Sequence, residues 1–145
     1  MEELYDGVMR KASELWRQAH SVSALMVHLV FVAKWRRKVF DAAAIALLRD
    51  TFWGTCARHG SQLQQFNGEA DHVHLLVQYQ PSTSISQLAH ILKGTSSRAL
   101  RALRPDITRR MRSAVLWSPS YFASSCGGAP LEILKQYIDN QAAPH

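Results

Sequence analysis

Two histidines separated by one apolar residue, His72 and His74, are the residues of this chain best suited to chemistry. Side chains alternate between the two faces of a β-strand, so a strand over residues 72–79 would place both imidazoles on one face. Two neutral imidazoles can hold a divalent metal ion, and Asp71 directly upstream could orient or supplement them. Taken alone, the stretch fits a metal site and a polar strand edge equally well.

A tyrosine and an amide near the carboxyl end, Tyr137 and Gln141, form the second candidate group. The pattern predicts a helix from Leu131 to about Ala142, with the two side chains one turn apart beside an apolar stripe. Such a tyrosine could be a nucleophile, and the amide oxygen a third metal ligand. A boundary tyrosine next to a polar residue is the simpler interpretation of this helix by itself.

Together these residue types indicate one kind of reaction. Two histidines and an amide oxygen leave coordination positions open on a metal, as in a catalytic site. A metal beside a scissile phosphate polarises a non-bridging oxygen, and a nearby cation favours the phenolate of a tyrosine whose ordinary pKa is about 10. Attack on a phosphodiester would give a phosphotyrosine and a hydroxyl group, so the bond energy is kept for rejoining. Magnesium does not favour imidazole, which leaves manganese and zinc open.

The charge of the chain favours a polyanionic partner. Its 17 lysine and arginine residues outnumber 11 acidic ones, which gives a net charge of +6. Nucleic acid is the first candidate and an anionic membrane the second. Most of the excess lies in 34–38 and 93–112, where hydroxyl and aromatic side chains accompany the cations. The predicted nucleic-acid contacts are Lys34, Arg36, Arg37, Lys38, Lys93, Ser97, Arg98, Arg101, Trp117 and Tyr121.

Several other classes of protein lack support in the sequence. A histidine-triad hydrolase needs a third alternating histidine, but position 76 is leucine, and paired H-x-[ST], H-E-x-x-H and G-x-S-x-G motifs are absent. The two cysteines form no C-x-x-C pair, which argues against a disulfide framework or a cysteine-rich zinc site. We find no signal peptide and no apolar run long enough for a bilayer, so we expect a cytoplasmic protein.

The length of 145 residues predicts one domain, with residues 1–20 as a polar extension. Asp41 is a predicted N-cap and Gly60 a helix stop, whereas Pro105 is expected to close the helix that Ser84 begins. The predicted strands cover 25–33, 62–67, 72–79, 115–117 and 121–123. His28, inside the first of them, is interpreted as a core or interface histidine and not as a ligand.

Five segments in this order resemble the single-tyrosine HUH transposases of the IS200-like insertion sequences, which move as single-stranded DNA. The first segment, Val27 to Phe40, resembles the first-strand signature of these enzymes, and Asp71-His72-Val73-His74 their metal motif. The other three segments are 92–98, 116–122 and 137–141. The matching segments span 27–141, so the resemblance covers nearly the whole chain.

The resemblance implies both a fold and a set of roles. The fold would be α+β, a ferredoxin-like or RRM-like βαββαβ palm with helices on one face of an antiparallel sheet and a C-terminal nucleophile helix. His72, His74 and Gln141 would bind Mg²⁺ or Mn²⁺, and Tyr137 would form a 5′-phosphotyrosine. The family also implies a homodimer that binds DNA hairpins at transposon ends, in the bacterial or archaeal cytoplasm near the nucleoid.

Three functions remain open at this point. The first is an active DNA strand transferase, and the second is a domesticated hairpin-binding protein with the same fold and no transposition activity. The third, a metal-dependent nucleotide phosphoesterase, is disfavoured by the missing additional histidines. Cleavage-site sequence, target site and the use of Tyr137 within or between subunits are not determined by the sequence.

Overall fold

The computed structural model describes residues 25–126 and 131–142, with the side chains of the last helix described for 135–140. The predicted extension over residues 1–20 lies outside these ranges, as does part of the predicted single domain. The strands are β1 (Met26–Val32), β2 (Gln62–Gly68), β3 (His72–Gln78) and β4 (Phe122–Ser125). The helices are α1 (Ala42–Arg58), α2 (Ile85–Leu103), α3 (Pro105–Met111) and α4 (Leu131–Ala142), with a 3₁₀ turn at Lys34–Arg36.

The four strands form one antiparallel sheet in the order β2-β3-β1-β4. The two central strands are β1 and β3, and they are also the most apolar. Their sequences are MVHLVFV in β1 and HVHLLVQ in β3. This arrangement confirms the predicted α+β class and antiparallel sheet.

The two faces of the sheet are covered by different helices. On one face, Leu29 and Phe31 of β1 and Leu75 of β3 pack into a core shared with α1 and α2. On the other face, Met26 and Leu76 bury Ile138 of α4. The helix that carries the candidate tyrosine therefore lies alone, among the described helices, on the face that carries the candidate histidines.

The buried residues of α2 recur with the 3.6-residue period of a helix and so face the core. Capping and turn residues set where the helices begin and end. Ser84 caps its first turn by accepting a hydrogen bond from the Gln87 amide at 3.4 Å. Gly60, at φ +70°, adopts the left-handed conformation that lets the chain leave α1 and enter β2. These starts and stops agree with the sequence predictions.

One local prediction is confirmed and extended by the structure, and another is wrong. Pro105 does more than close α2, because it is the first residue of α3, where its missing N–H costs no helical hydrogen bond. The predicted strand over 115–117 is reduced to one bridge between Trp117 and Ala33, whereas the strand predicted over 121–123 is present as the edge strand Phe122–Ser125. Leu116 and Trp117 of this run are buried in the core through their side chains and form no strand ladder, whereas Val115 is exposed.

Trp117 is one of the most completely buried large side chains, with 2% of its surface exposed. Its indole N–H donates to Ser96 Oγ at 2.8 Å, and its ring packs against Phe31 and Phe40. A base cannot stack on a ring enclosed in this way. Trp117 therefore belongs to the core, and the prediction that it contacts nucleic acid is wrong.

Asp41 caps α1 and also joins it to the start of α3. Its Oδ1 accepts from the Ala44 amide at 2.8 Å, and its carboxylate binds the Arg104 guanidinium at 2.7 and 2.9 Å. The bond to Arg104, followed by that to Ala44, lowers the pKa of Asp41 well below its usual value. Because the folded-state pKa is depressed, this stabilisation is present at neutral pH and is lost as the pH falls below about 4.

We expect Asp41→Ala to lower the free energy of unfolding by about 1 kcal/mol through the lost cap, with a further loss from the ion pair. Asp41→Asn is the matched control, since asparagine caps helices well but carries no charge for Arg104. Urea unfolding at pH 7 measures both. Equal losses for the two variants would contradict a role for the cap.

Candidate active site

The alternation of side chains along β3 places His72 and His74 on the same face of the sheet. Val73, Leu75 and Val77 point to the opposite face and are fully buried in the main core. The two imidazole centroids are 5.1 Å apart, with the rings nearly perpendicular. The predicted strand and the shared face of the two histidines are thus present in the structure.

His72 is oriented by the residue before it. Its Nδ1 lies 2.7 Å from Asp71 Oδ1, and the second carboxylate oxygen lies 3.5 Å from Arg36 Nε. Burial opposes ionisation of Asp71, but the neighbouring His72 and Arg36 outweigh it and lower the pKa of the carboxyl group. A carboxylate on Nδ1 keeps the proton there and leaves Nε2 as the nitrogen that can bind a metal. Asp71 therefore orients His72, as the sequence suggested.

His74 is more deeply placed, with 6% of its surface exposed. Its Nδ1 lies 2.9 Å from His28 Nε2, whereas its own Nε2 is buried and has no hydrogen-bond partner. Burial, followed by the charges of His28 and His72, lowers the pKa of His74 to about 4. The imidazole is therefore neutral at physiological pH, which is the form that binds metals.

His28 is the site residue whose contacts the sequence did not reveal. It is buried on β1, on the same sheet face as the two histidines of β3, and burial lowers the pKa of its imidazole. Its predicted place in a core or interface is confirmed, but its neighbours are His74 and Tyr137. The register of β1 against β3, which pairs Val30 with His74, brings them together. The signal in the sequence was a lone histidine in an apolar strand.

Tyr137 completes a row of four rings. Its ring centroid is 5.6 Å from that of His28, which lies 5.2 Å from His74, and the tyrosine is 44% exposed. Tyr137 is thus near the sheet histidines of its own chain and is also open to solvent. Gln141 belongs to the same helix, but its side chain lies outside the described residues.

The tyrosine helix is held on the sheet by polar contacts next to the nucleophile candidate. Asp139 Oδ1 accepts from Gln65 Nε2 at 2.7 Å and from Asn67 Nδ2 at 2.5 Å, and both donors belong to β2. The neighbouring Ile138 is fully buried and packs against Met26 and Leu76 of the sheet. One carboxylate oxygen therefore fixes α4 laterally over β2.

Removing this carboxylate should loosen α4. We expect Asp139→Ala to speed amide hydrogen exchange in 131–142 by about tenfold, which corresponds to the loss of a hydrogen-bond pair worth about 1.4 kcal/mol. Asp139→Asn keeps an acceptor oxygen and should exchange at nearly the wild-type rate. Unchanged exchange in the alanine variant would show that Ile138 alone holds the helix.

The donor atoms of the site fit a divalent metal with open coordination positions. Within 25–126 and the described part of α4, no three histidine, cysteine or acidic side chains converge as a complete metal cage. Two imidazoles do converge, one with a carboxylate behind it and one with a buried nitrogen that lacks a partner. A third ligand must come from another residue type, solvent or substrate.

The predicted nucleic-acid contacts fall into separate places. A groove of about 590 Å³ beside α2, here called the α2 groove, contains seven of them, of which Trp117 is the buried one. A second and more open groove of about 770 Å³, the α3 groove, contains Arg37 and Lys38 together with arginines of α3. The accessible predicted contacts in the α2 groove are six, namely Lys34, Lys93, Ser97, Arg98, Arg101 and Tyr121.

Lys93 is partly committed to structure within the α2 groove. Its Nζ donates to the carbonyl oxygens of Ser118 at 2.7 Å and Pro119 at 3.2 Å, and burial lowers its pKa. The same ammonium lies 5.8 Å from the centre of the Tyr121 ring. Lys93 thus supports the wall that carries Tyr121.

An exposed tryptophan projects from the turn after β1. Trp35 is 60% exposed at a left-handed φ of 59°, and Lys34 Nζ and Arg37 Cζ lie 4.6 and 5.3 Å from its ring. A non-glycine residue in this conformation costs free energy and is often found at functional sites. The turn presents an aromatic ring and cations together.

Comparison with known proteins decides the family. The model of the IS200-like transposase family matches residues 21–141, which include the sheet, the histidines and the tyrosine helix. The chain belongs to the IS200-like transposases. Membership in this family implies DNA cleavage and strand transfer.

Two relatives of this IS200-like transposase are similar to it in sequence over most of their length. The chain is 28% identical to the ISDra2 transposase TnpA of Deinococcus radiodurans over 83% of this chain and 86% of that protein. It is 27% identical to the IS200 transposase of Salmonella typhimurium over 85% of this chain and 80% of that protein. These two relatives agree with the family that the motifs suggested.

Solved transposase structures share the fold. A Deinococcus radiodurans transposase superposes with a TM-score of 0.67 at 28% identity, covering 83% of this chain and 92% of that one. A REP-associated tyrosine transposase bound to a REP hairpin gives a TM-score of 0.56 at 10% identity, covering 81% and 64%. At 10% identity, the similarity to the REP-associated transposase shows a shared fold only. In the described part of this transposase, none of the helices is long and apolar enough to cross a membrane.

Proposed function

We propose that this IS200-like transposase cleaves and rejoins single-stranded DNA at the ends of its insertion sequence through a 5′-phosphotyrosine on Tyr137. One observation carries the proposal, namely the row of rings in which Tyr137 adjoins His28, followed by His74 and His72. A solvent-exposed phenol next to two neutral imidazoles is suited to attack on a phosphodiester. The buried packing of Ile138 and the exposed hydrogen bond from Gln65 to Asp139 hold the tyrosine helix on the sheet.

In the proposed reaction, Tyr137 Oη attacks the phosphorus of the scissile phosphodiester. The new oxygen–phosphorus bond forms as the bond to the 3′-oxygen breaks, and the phenol loses its proton while the departing 3′-oxygen gains one. The products are a 5′-phosphotyrosine and a strand with a 3′-hydroxyl. Attack by a 3′-hydroxyl on the phosphotyrosine reverses these changes and joins strands, so no phosphodiester is lost to water.

We assign His72, His74 and Gln141 as ligands of a divalent ion, Mg²⁺ or Mn²⁺. When bound, the ion would polarise a non-bridging oxygen of the scissile phosphate and favour the phenolate. The unpartnered Nε2 of His74 and the Asp71-oriented imidazole of His72 support this assignment. Gln141 rests on the family motif and its position one turn beyond Tyr137.

We assign DNA binding to the two basic grooves and the turn between them. The α2 groove combines cations, a hydroxyl group and Tyr121, which suits a sugar–phosphate backbone with a stacked base. The solved relative bound to a REP hairpin supports a folded DNA hairpin as the ligand. A homodimer and a cytoplasmic location near the nucleoid are predictions from the family.

A covalent-adduct assay tests the proposal. Labelled single-stranded DNA containing the hairpin and flanks of the element's ends is incubated with the protein and Mn²⁺, then separated under denaturing conditions. We expect a labelled protein band whose tryptic phosphopeptide contains Tyr137. Hairpin binding without any adduct would support the alternative function, a domesticated hairpin-binding protein, and would reject the transferase.

A further inference from the structure

We infer that His28 is a positioning residue of the active site, which fixes the tautomer of His74 and adjoins the ring of Tyr137. The inference rests on the proposed function, because it concerns the metal ligand and the nucleophile assigned there. His28 itself is assigned to neither role. Its contribution follows from one hydrogen bond and three ring contacts.

The hydrogen bond between the two imidazoles determines which nitrogen of His74 is available. His28 Nε2 and His74 Nδ1 are 2.9 Å apart, so one of them must carry the shared proton. If His74 Nδ1–H donates, His74 Nε2 keeps its lone pair and can bind a metal. If His28 donates, His74 Nε2 carries a buried hydrogen and has no lone pair for a metal, whereas if His28 accepts, its own buried Nδ1 carries the hydrogen instead. Metal binding therefore selects His28 as the acceptor.

This arrangement parallels the other metal ligand. His72 has Asp71 on its Nδ1 at 2.7 Å, and His74 has His28 on its Nδ1 at 2.9 Å. In each case the outer group leaves Nε2 as the ligand atom and restricts rotation of the ring. The deeper ligand uses a neutral partner, which avoids burying a charge beside it.

His28 also lies between the metal ligand and the tyrosine helix. Its ring is stacked on His74 at a 22° interplanar angle and meets Tyr137 edge-on at 89°, with Phe122 on a further side at 5.6 Å. These contacts leave the His28 ring 2% exposed, so it has little room to rotate. A fixed His28 ring thus defines positions for His74 and Tyr137 at once.

Three variants separate the hydrogen bond from simple packing. His28→Phe keeps an aromatic ring and removes the acceptor, His28→Gln keeps an acceptor near the Nε2 position, and Phe122→Leu alters packing on His28 without touching the bond. Mn²⁺ affinity is measured by the electron paramagnetic resonance of unbound Mn²⁺, with thermal unfolding as a check of folding. We expect His28→Phe to weaken Mn²⁺ binding by about 10- to 100-fold. His28→Gln and Phe122→Leu should stay within about threefold of wild type.

Long-range ¹H–¹⁵N spectra of the histidine rings give a readout that a merely structural role would not change. In the metal-free protein, His74 should carry its proton on Nδ1 in the wild type and should lose this uniform tautomer in His28→Phe. Wild-type Mn²⁺ affinity in a folded His28→Phe protein, or a proton on His74 Nε2 in the wild type, would overturn the inference. Either of these results is compatible with adduct formation on Tyr137. The inference about His28 can therefore fail while the proposed reaction stands. A wild-type protein that forms no adduct but shows the His28-dependent affinity would retain the inference and reject the reaction.

Discussion

Tyr137→Phe should abolish the covalent protein–DNA adduct, with a loss of at least about 1,000-fold, because the substitution removes the oxygen proposed to attack the phosphodiester. The ring itself remains, so its edge-on contact with His28 and the packing of Ile138 beside it should persist. Hairpin binding in a gel-shift assay is therefore expected to stay within about twofold of wild type. The adduct is measured with labelled single-stranded DNA under denaturing conditions.

Two other tyrosines provide matched controls for this substitution. Tyr79→Phe removes a phenol packed against the main core, and Tyr121→Phe removes one in the α2 groove. Both variants should form the adduct, with Tyr121→Phe weakened only as far as it weakens DNA binding. An adduct that survives Tyr137→Phe but disappears in Tyr121→Phe would move the nucleophile to the α2 groove and reject the proposed site.

His72→Ala should separate DNA binding from cleavage. The substitution removes one proposed metal ligand but leaves both basic grooves intact, so hairpin binding should remain within about twofold while adduct formation falls by at least about 100-fold. The His72 side chain is 22% exposed, and its loss should disturb the core less than loss of the buried His74. Gel shift and adduct formation are measured on the same protein preparation at several Mn²⁺ concentrations.

Graded variants test whether the effect of His72→Ala arises from the metal. Asp71→Asn keeps the ligand but weakens its orientation, so its adduct formation should fall by about 10- to 100-fold and recover partly at high Mn²⁺. His59→Ala, which removes an exposed histidine after α1, should behave as wild type. Parallel loss of binding and cleavage in His72→Ala would mean that the β3 histidines are structural.

Local chemistry made much of this fold predictable. The period of two in His72-Val73-His74 already placed both imidazoles opposite the core, and Asp41, Gly60 and Ser84 marked helix ends through caps and turns that act within a few residues. These features depend on the backbone near each residue, so they can be inferred without knowing the rest of the structure.

Predictions failed where a residue's surroundings come from distant segments. Trp117 looked like a base-stacking ring in a basic region, yet Phe31, Phe40 and Ser96 enclose it. Exposure depends on which elements pack over a side chain, and no local pattern reports that. The structural role of Lys93, whose ammonium group donates to carbonyl oxygens 25 and 26 residues away, was likewise not visible in the sequence.

The sequence by itself determined the residue types of the site, the strand alternation that aligns His72 with His74, and a basic surface suited to DNA. Only the tertiary structure decided that His28 joins them, because its contact with His74 spans 46 residues and depends on the register of β1 against β3. The approach of Tyr137 likewise depends on α4 packing Ile138 onto the second face of the sheet. Strand register and helix docking are set by the whole core, which is why chemistry written in separate segments becomes one site only in the folded chain.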